Sequence, residues 1–255
     1  PTFILAEGAF SDVIPPSLLS LTRHFGHEWE DLLQNASRRP SPKQVTLSPD
    51  DPWIVLYTSG TTGYPKGALL PYRQIAFNAL NTIAALSLMP SDTTVTYMPL
   101  FHTGGLNVLS TPLLIQGGCI ILTDGFDADS FWELHHRYKT TLLFGVPTTL
   151  TWLAQSSAFE RADLSTIRFA LCGGAPCPLS LIETFSQRQI IFKQGYGLTE
   201  VGPNCLNLHE DDVIRKAGAA GLPNLGIAAR VYKADGSVLA GPGEGELALG
   251  GPCLF

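Results

Sequence analysis

The sequence predicts an α/β protein: a mainly parallel sheet of βαβ units flanked by helices, with the beginning of an antiparallel β region after about residue 215. Two observations predict this class. From Trp53 onward, short apolar runs alternate with stretches whose apolar residues recur at helical spacing, a pattern typical of parallel strands joined by crossover helices. Near the end of the chain, Asp235-Gly236 separates two apolar segments, and Asp-Gly is a strong hairpin signal.

The first element of the core is the uninterrupted apolar run Trp53–Tyr57, which favours a parallel strand buried on both faces. Apolar residues from Ile75 to Leu86 then recur at helical spacing and predict a helix near 72–88. Further strand-like runs lie at 93–98, 119–123, 141–145, 167–172 and 189–193, and helical stretches lie at roughly 105–115, 128–139, 147–156 and 178–187.

The last part of the chain has a different character. Segments 226–232 and 245–249, on either side of Asp235-Gly236, predict an antiparallel hairpin. We therefore expect three parts: a lead-in and linker segment at 1–52, an α/β core at 53–215, and the start of an antiparallel β subdomain at 216–255.

Composition limits the classes of function. Charged residues make up only 15% of the chain, against a usual value of about 25%, so we expect part of the surface to be covered and predict self-association when it is not. The net charge is −6 and the basic residues are scattered, so the sequence does not predict the basic patch that nucleic-acid binding needs. No apolar run predicts a membrane span, and the N-terminus lacks the basic region of a signal peptide.

The five cysteines form no C-x-x-C pair, which predicts a reduced, cytoplasmic protein. Cys172 and Cys177 are interpreted as packing residues, because no histidine or further cysteine lies at zinc-ligand spacing.

Residues 57–67 (YTSGTTGYPKG) form the most informative segment of the chain. Side-chain hydroxyls and glycines in so short a loop predict a phosphate cradle, since glycine lets the backbone N–H groups approach an anion closely. Lys66 adds a mobile positive charge. The loop is not a Walker A motif, because two residues separate Gly60 from Gly63 and a glycine follows the lysine.

This loop resembles the signature loop of the adenylate-forming enzymes, which include acyl- and aryl-CoA synthetases, luciferases and peptide-synthetase adenylation domains. Four further segments fall in the order that the family has: Pro99–His102, Gly173–Pro176, Gly195–Glu200, and Gly245-Glu246-Leu247 through Gly250-Gly251-Pro252. The resemblance implies that 53–215 is an ATP- and acyl-binding core.

The family holds the β- and γ-phosphates of ATP in the signature loop. By resemblance, Thr58, Ser59, Gly60, Thr61, Thr62, Gly63 and Lys66 take this role. Lys66 is also expected to offset the charge that develops on the leaving pyrophosphate.

Thr199-Glu200 is the second expected phosphate contact. The resemblance implies that Glu200 holds Mg²⁺, which needs only one or two protein carboxylates beside substrate phosphates, and that Thr199 lies near the α-phosphate. Considered without the family, the pair equally fits a helix N-cap followed by a first-turn acid.

Adenine lies between the third and fourth motifs in the family. This implies an adenine site made by Gly174, Ala175, Pro176 and Tyr196, with Gly197 as a further nucleotide-binding residue. The small residues leave a slot for a flat ring, and Tyr196 supplies an aromatic face; an ordinary strand-to-helix turn with a core tyrosine is the alternative.

His102 matches a histidine that the acyl- and aryl-CoA branch places at the edge of the carboxylate pocket. We expect it, with Gly195, on the substrate side, where His102 orients the acid. A carboxylate is already ionised at neutral pH and needs no general base.

The motifs PLFHTGG and YGLTE favour the CoA-ligase branch over peptide-synthetase adenylation domains. A fatty or aryl acid, ATP with Mg²⁺, and CoA as acceptor are the implied reactants. The family continues beyond the Gly-Glu-Leu segment to a ribose-binding Asp and a lid lysine, so the chain resembles the central part of the large N-terminal domain. We expect these residues alone to bind nucleotide weakly and to turn over little or not at all.

Two other functions compete with a ligase. A non-catalytic nucleotide- or acyl-binding module would keep the cradle without the chemistry. A phosphohydrolase is disfavoured, because no residue is placed to activate water.

Overall fold

The computed structural model of the protein describes residues 4–36, 45–59 and 63–255. Residues 37–44 of the predicted linker lie outside the described residues, as do Gly60, Thr61 and Thr62 of the predicted phosphate loop. The chain divides into two compact units, residues 1–47 and 48–255. The boundaries predicted near residues 52 and 215 stay predictions.

The first unit is built from short elements. Two strands, β1 (Ile4–Ala6) and β2 (Thr22–His24), pair in parallel, and 3-10 helices at Gly8–Val13 and Pro16–Leu21 lie between them in the chain. Helix α1 (His27–Ala36) follows.

The second unit holds the sheets and helices that the periodicity predicts. Its strands are β3 (Pro52–Thr58), β4 (Lys66–Pro71), β5 (Thr93–Thr96), β6 (Cys119–Leu122), β7 (Leu142–Gly145), β8 (Phe169–Cys172), β9 (Ile191–Leu198), β10 (Gly202–Leu208), β11 (Leu222–Pro223), β12 (Ala228–Tyr232) and β13 (Glu246–Gly250). Its helices are α2 (Tyr72–Leu86), α3 (Thr111–Gln116), α4 (Ala128–Tyr138), α5 (Pro147–Gln155), α6 (Ser157–Arg161) and α7 (Leu179–Gln187), with a π-helix at Gly104–Ser110 and a 3-10 helix at Glu210–Asp212.

Seven strands of the described part form one sheet in the order β11-β10-β9-β8-β7-β5-β6. The strands from β6 to β9 are parallel, and β10 and β11 are antiparallel additions at one edge. The predicted mainly parallel α/β sheet is confirmed. Because the carboxyl ends of parallel strands meet at one edge of a sheet, the segments after β5, β7, β8 and β9 are brought together there.

Helices cover this sheet on both faces. On one face, Leu143 and Ala170 pack in a large apolar cluster with residues of α4, α5 and α7. On the other, Leu142 and Leu171 pack in a cluster that includes residues of α2 and α3. Side chains of successive strand residues point to opposite faces, so a continuous apolar run is what a strand buried on both faces requires.

The strand at 52–58 differs from the prediction. It pairs antiparallel with β4 in a separate two-stranded sheet, not in the parallel one. Leu56 is buried against α2, whereas Val55 and Tyr57 are exposed. The prediction was wrong because an apolar run does not show which of its faces is covered.

The hairpin near the C-terminus is correct in its pairing and wrong in its turn. β12 and β13 pair antiparallel as predicted. Asp235-Gly236, however, lies in a tight turn in which Gly236 N–H donates to Lys233 O at 2.9 Å and Tyr232 bridges to Val238. The segment directly after the Asp-Gly turn therefore pairs with β12. Strand β13 follows after a longer connection and pairs with the other edge of β12.

No helix within the described ranges has the length and the apolar character needed to cross a membrane.

Candidate active site

Two motifs meet at the carboxyl ends of β8 and β9. Gly173–Pro176 follows β8, and Gly195–Leu198 ends β9. A Cβ built on Gly173 would lie 3.6 Å from the Gly195 carbonyl oxygen, so the two segments are in van der Waals contact. Gly174 has a φ of +80°, a conformation that glycine adopts without strain. Small residues therefore border the point where the ends of these two strands meet.

The space on one side of this contact is a cavity of about 380 Å³. Its lining contains the four residues assigned to adenine, Gly174, Ala175, Pro176 and Tyr196, and the nucleotide-binding candidate Gly197. The structure thus brings together the residues of the predicted slot. Gly218 and Ala220, from the segment that follows β10, line the same space and were not predicted.

A second cavity, of about 90 Å³, lies against the first and shares Gly174, Gly195 and Gly197 with it. His102 lines it, so both residues assigned to the acid, His102 and Gly195, border one space. The remaining wall is mainly apolar and includes Met98, Val108, Phe144, Val146, Leu171 and Pro203. Sequence reasoning missed these residues, because they come from strands, loops and the π-helix, separate segments that only the fold brings together.

His102 is exposed and lies in the loop between β5 and the π-helix. Its Nδ1 accepts a hydrogen bond of 2.9 Å from the backbone N–H of Gly104. In the neutral ring this places the hydrogen on Nε2. His102 can therefore donate from Nε2 to an acid, which is the orienting role expected of it.

Cys172 forms part of the wall of the small cavity. Its hydrogen bond with Cys177, together with burial, raises the pKa of the Cys172 thiol far above its ordinary value. Cys172 is therefore a neutral thiol at physiological pH. This agrees with its interpretation as a packing residue.

Thr199 and Glu200 lie in the turn between β9 and β10. The alternative that Thr199 caps a helix is wrong, because two antiparallel strands flank the pair. Thr199 is buried, and its carbonyl oxygen accepts a hydrogen bond of 2.8 Å from Gln74 Nε2 on α2.

Glu200 is half-buried, and its carboxylate forms no ion pair with the described residues. A carboxylate in that state can contribute the single protein ligand that Mg²⁺ needs beside phosphate oxygens. Among the described residues, no group of three or more His, Cys, Asp or Glu side chains is arranged to hold a metal without a substrate. The donor set fits an ion that arrives with a nucleotide.

The described residues of the predicted phosphate loop lie together at the end of the β3–β4 hairpin. Thr58 pairs with Lys66 across the hairpin, and its hydroxyl donates weakly to Lys66 O at 3.4 Å. Ser59, Gly63 and Lys66 are exposed, and Gly63 has a φ of +88°. The Lys66 ammonium forms no ion pair within the described ranges, so it is available to an anion.

A family model described as "AMP-binding enzyme" matches residues 12–255. The chain belongs to the family of AMP-binding enzymes. The five motifs of the sequence lie within the matched residues, and the family membership expected from them is confirmed.

Curated relatives are similar to much of the chain. It is 36% identical over 212 residues to a feruloyl-CoA synthase from Amycolatopsis and 34% identical over 255 residues to an indoleacetate–CoA ligase from Aromatoleum aromaticum. These alignments cover 83% and 99% of this chain, but 43% and 50% of the relatives. The chain therefore spans about half the length of the curated relatives that it matches.

Solved structures agree with the fold. The inhibitor-bound N-terminal domain of FACL13 from Mycobacterium tuberculosis has a TM-score of 0.87 at 26% identity, over 99% of this chain and 64% of that one. ATP-bound MatB from Rhodopseudomonas palustris has a TM-score of 0.87 at 28% identity, over 100% and 51%. MenE from Bacillus subtilis, in complex with ATP and magnesium, has a TM-score of 0.82 at 25% identity, over 99% and 51%.

Proposed function

We propose that this chain provides the ATP- and acid-binding part of a carboxylate–CoA ligase. In the first half-reaction a carboxylate oxygen attacks the α-phosphorus of ATP, and the bond to pyrophosphate breaks. In the second half-reaction the CoA thiolate attacks the acyl carbon, and AMP leaves. The observation that carries the proposal is the pair of cavities that share Gly174, Gly195 and Gly197.

This arrangement supports the chemistry because adenylation requires the acid and the α-phosphate to meet. A nucleotide with its ring beside Tyr196 and an acid in the apolar cavity beside His102 would approach each other along the shared glycines. Side chains at those positions would separate the reactants, so holding both substrates close and oriented depends on the glycines. His102 Nε2 would orient the carboxylate.

The phosphates would extend from the shared glycines toward the hairpin and the Thr199 turn. Thr199 would contact the α-phosphate. Thr58, Ser59, Gly63 and Lys66, with Gly60, Thr61 and Thr62, would hold the leaving pyrophosphate. Glu200 would contribute the protein ligand of Mg²⁺, which when bound neutralises charge on the phosphates.

An aryl acid is favoured over a fatty acid. The relatives named for feruloyl, indoleacetate and 2-succinylbenzoate all act on aryl acids by name, and an aromatic side chain, Phe144, lines the apolar cavity. CoA as acceptor rests on the names of the same relatives. A reduced cytoplasmic setting accords with five free cysteines.

The test is carboxylate-dependent ATP–pyrophosphate exchange by the protein of the longest reading frame that contains this sequence. Exchange with an aryl or fatty acid, and none without acid, is expected. Binding of Mg-ATP with no exchange for any acid would instead indicate a non-catalytic binding module. Phosphate release without an acid would indicate a phosphohydrolase.

A further inference from the structure

A buried polar side chain borders the apolar cavity beside His102. Asn204, on β10, is 7% exposed and lines that cavity among Met98, Val108, Phe144 and other apolar groups. A polar group is costly to bury unless it is hydrogen-bonded. The partners of its two amide atoms therefore decide what the cavity can bind.

The nitrogen of the Asn204 amide is fully engaged with the protein. Nδ2 donates to Thr82 Oγ1 at 2.7 Å and to Val108 O at 3.1 Å. Both partners must accept, because a carbonyl oxygen has no hydrogen and the Thr82 hydroxyl gives its own to Asn78 O at 2.8 Å. The orientation of the amide is thus fixed by chemistry.

This orientation leaves the amide oxygen at the cavity. Oδ1 lies 3.7 Å from the position that a Cβ on Gly195 would occupy, and Gly195 lines the same cavity. No hydrogen bond from another described residue reaches Oδ1. The two hydrogen bonds of Nδ2 hold the side chain in place, and the Asn204 backbone oxygen accepts from Asn224 Nδ2 at 2.8 Å.

We propose that Asn204 Oδ1 selects acids that carry a hydrogen-bond donor, a phenolic hydroxyl or a ring N–H, remote from the carboxylate. This rests on the proposed function, since it takes the cavity to be the acid site. A carboxylate cannot be the group that Oδ1 binds, because two acceptors repel. The carboxylate therefore lies toward His102 Nε2, and the donor of the ring lies toward Asn204.

The first experiment compares acids with their methylated partners, in which the methyl group replaces the hydrogen of the donor. The pairs are 4-hydroxycinnamate with 4-methoxycinnamate and indole-3-acetate with 1-methylindole-3-acetate, measured by ATP–pyrophosphate exchange on the longest natural protein. In at least one pair the acid with the donor is expected to have a kcat/KM about 10-fold higher or more, because its partner leaves a buried acceptor unpaired.

The second experiment tests the residue. Asn204→Leu has a similar shape and no acceptor, so the preference within the pair is expected to fall to about 3-fold or less, mainly through the acid with the donor. Asn78→Leu is the matched control. Asn78 is equally buried and its Nδ2 donates to Asn107 O at 2.8 Å, but it does not line the cavity, so the preference should stay.

The outcomes separate the two proposals. Exchange with no preference in either pair, or an Asn204→Leu protein that keeps the wild-type preference, would overturn the role of Asn204 and leave the ligase intact. If none of the acids supports ATP–pyrophosphate exchange, both proposals are overturned. If Asn204→Leu does not fold, the preference of the wild-type protein still decides.

Discussion

The side-chain amide of Gln74 donates a hydrogen bond of 2.8 Å to the carbonyl oxygen of Thr199. Gln74 lies in the first turn of α2, which begins directly after β4 of the phosphate-loop hairpin. The bond therefore links the element after that hairpin to the turn that carries Thr199 and Glu200. Gln74 is 1% exposed, and its Oε1 is buried without a hydrogen-bond partner.

Two substitutions at Gln74 are expected to differ in their effect. Gln74→Leu loses one hydrogen bond but also removes the unpartnered Oε1, so the free energy of unfolding should fall by only about 1 kcal/mol. Gln74→Glu places a carboxylate against the Thr199 carbonyl and should cost about 3 kcal/mol. Urea unfolding measures both. A Glu variant as stable as the wild type would contradict the contact.

Two glycines of one motif should tolerate alanine very differently. A Cβ on Gly197 would lie 2.1 Å from the carbonyl carbon of Pro203, whereas a Cβ on Gly195 would have no neighbour nearer than 3.6 Å. Gly197→Ala should therefore destabilise the fold by about 3 kcal/mol or more. Gly195→Ala should fold normally and weaken use of the acid, because its methyl group extends toward the small cavity. Equal melting temperatures would contradict this geometry.

Replacing Lys66 tests the phosphate loop. Lys66→Gln should lower the rate of ATP–pyrophosphate exchange by about 100-fold, because the cation that offsets charge on the leaving pyrophosphate is lost. Its stability should stay within about 0.5 kcal/mol of the wild type, since the side chain is exposed. Lys233→Gln, also at an exposed lysine, is the control. Unchanged exchange in Lys66→Gln would exclude this role.

The ion pair between Arg168 and Asp92 should contribute to the free energy of unfolding and not to substrate binding. Arg168 Nη1 contacts Asp92 Oδ2 at 2.5 Å, and the Asp92 side chain is 0% exposed. Arg168→Met leaves a buried carboxylate without a cation and should cost about 3–5 kcal/mol. Arg215→Met removes a more exposed arginine from Asp212 and should change the urea midpoint little. A small effect of Arg168→Met would show that solvent reaches Asp92.

The stability should depend on pH through His135. This side chain is 1% exposed, with Nδ1 bonded to the Thr140 hydroxyl and Nε2 to Asp163 O. Burial lowers the pKa of His135 from 6.5. Below that value the unfolded chain binds more protons than the folded one. The stability that the neutral His135 contributes is therefore fully present above about pH 6.5, and the free energy of unfolding falls as the pH decreases below it.

The control for this pH effect is His135→Gln, which keeps a donor for Asp163 O and does not titrate. Its unfolding free energy, measured in urea from pH 5 to 8, should fall less steeply below pH 6.5. The slope contributed by one proton is at most about 1.4 kcal/mol per pH unit. Identical slopes in the two proteins would show that His135 is not the group responsible.

The fold was predictable from the sequence where a strand is buried on both faces, because such a strand is a continuous apolar run. Strands such as β8 are continuously apolar because helices cover each face. Strand β3 is also a continuous apolar run, but it is buried on one face only, since Val55 and Tyr57 are exposed. A single sequence does not state what covers a face, and that is where the prediction failed.

The site was predictable where the chemistry is concentrated in a short segment. Gly174, Tyr196 and Gly197 are close in the structure because their segments end neighbouring parallel strands. Asn204 was missed, because no spacing or motif in the sequence of β10 distinguishes this asparagine. Its significance depends on Thr82 and Val108, which are distant in sequence and fix its amide.

The central claim is that the carboxylate itself attacks the α-phosphate. The most direct measurement uses an acid labelled with ¹⁸O in its carboxylate, incubated with Mg-ATP, CoA and the longest natural protein. The account predicts that one labelled oxygen appears in AMP, because the acyl–phosphate bond is broken at carbon when CoA attacks. Label in inorganic phosphate, or AMP formed without label, would contradict it.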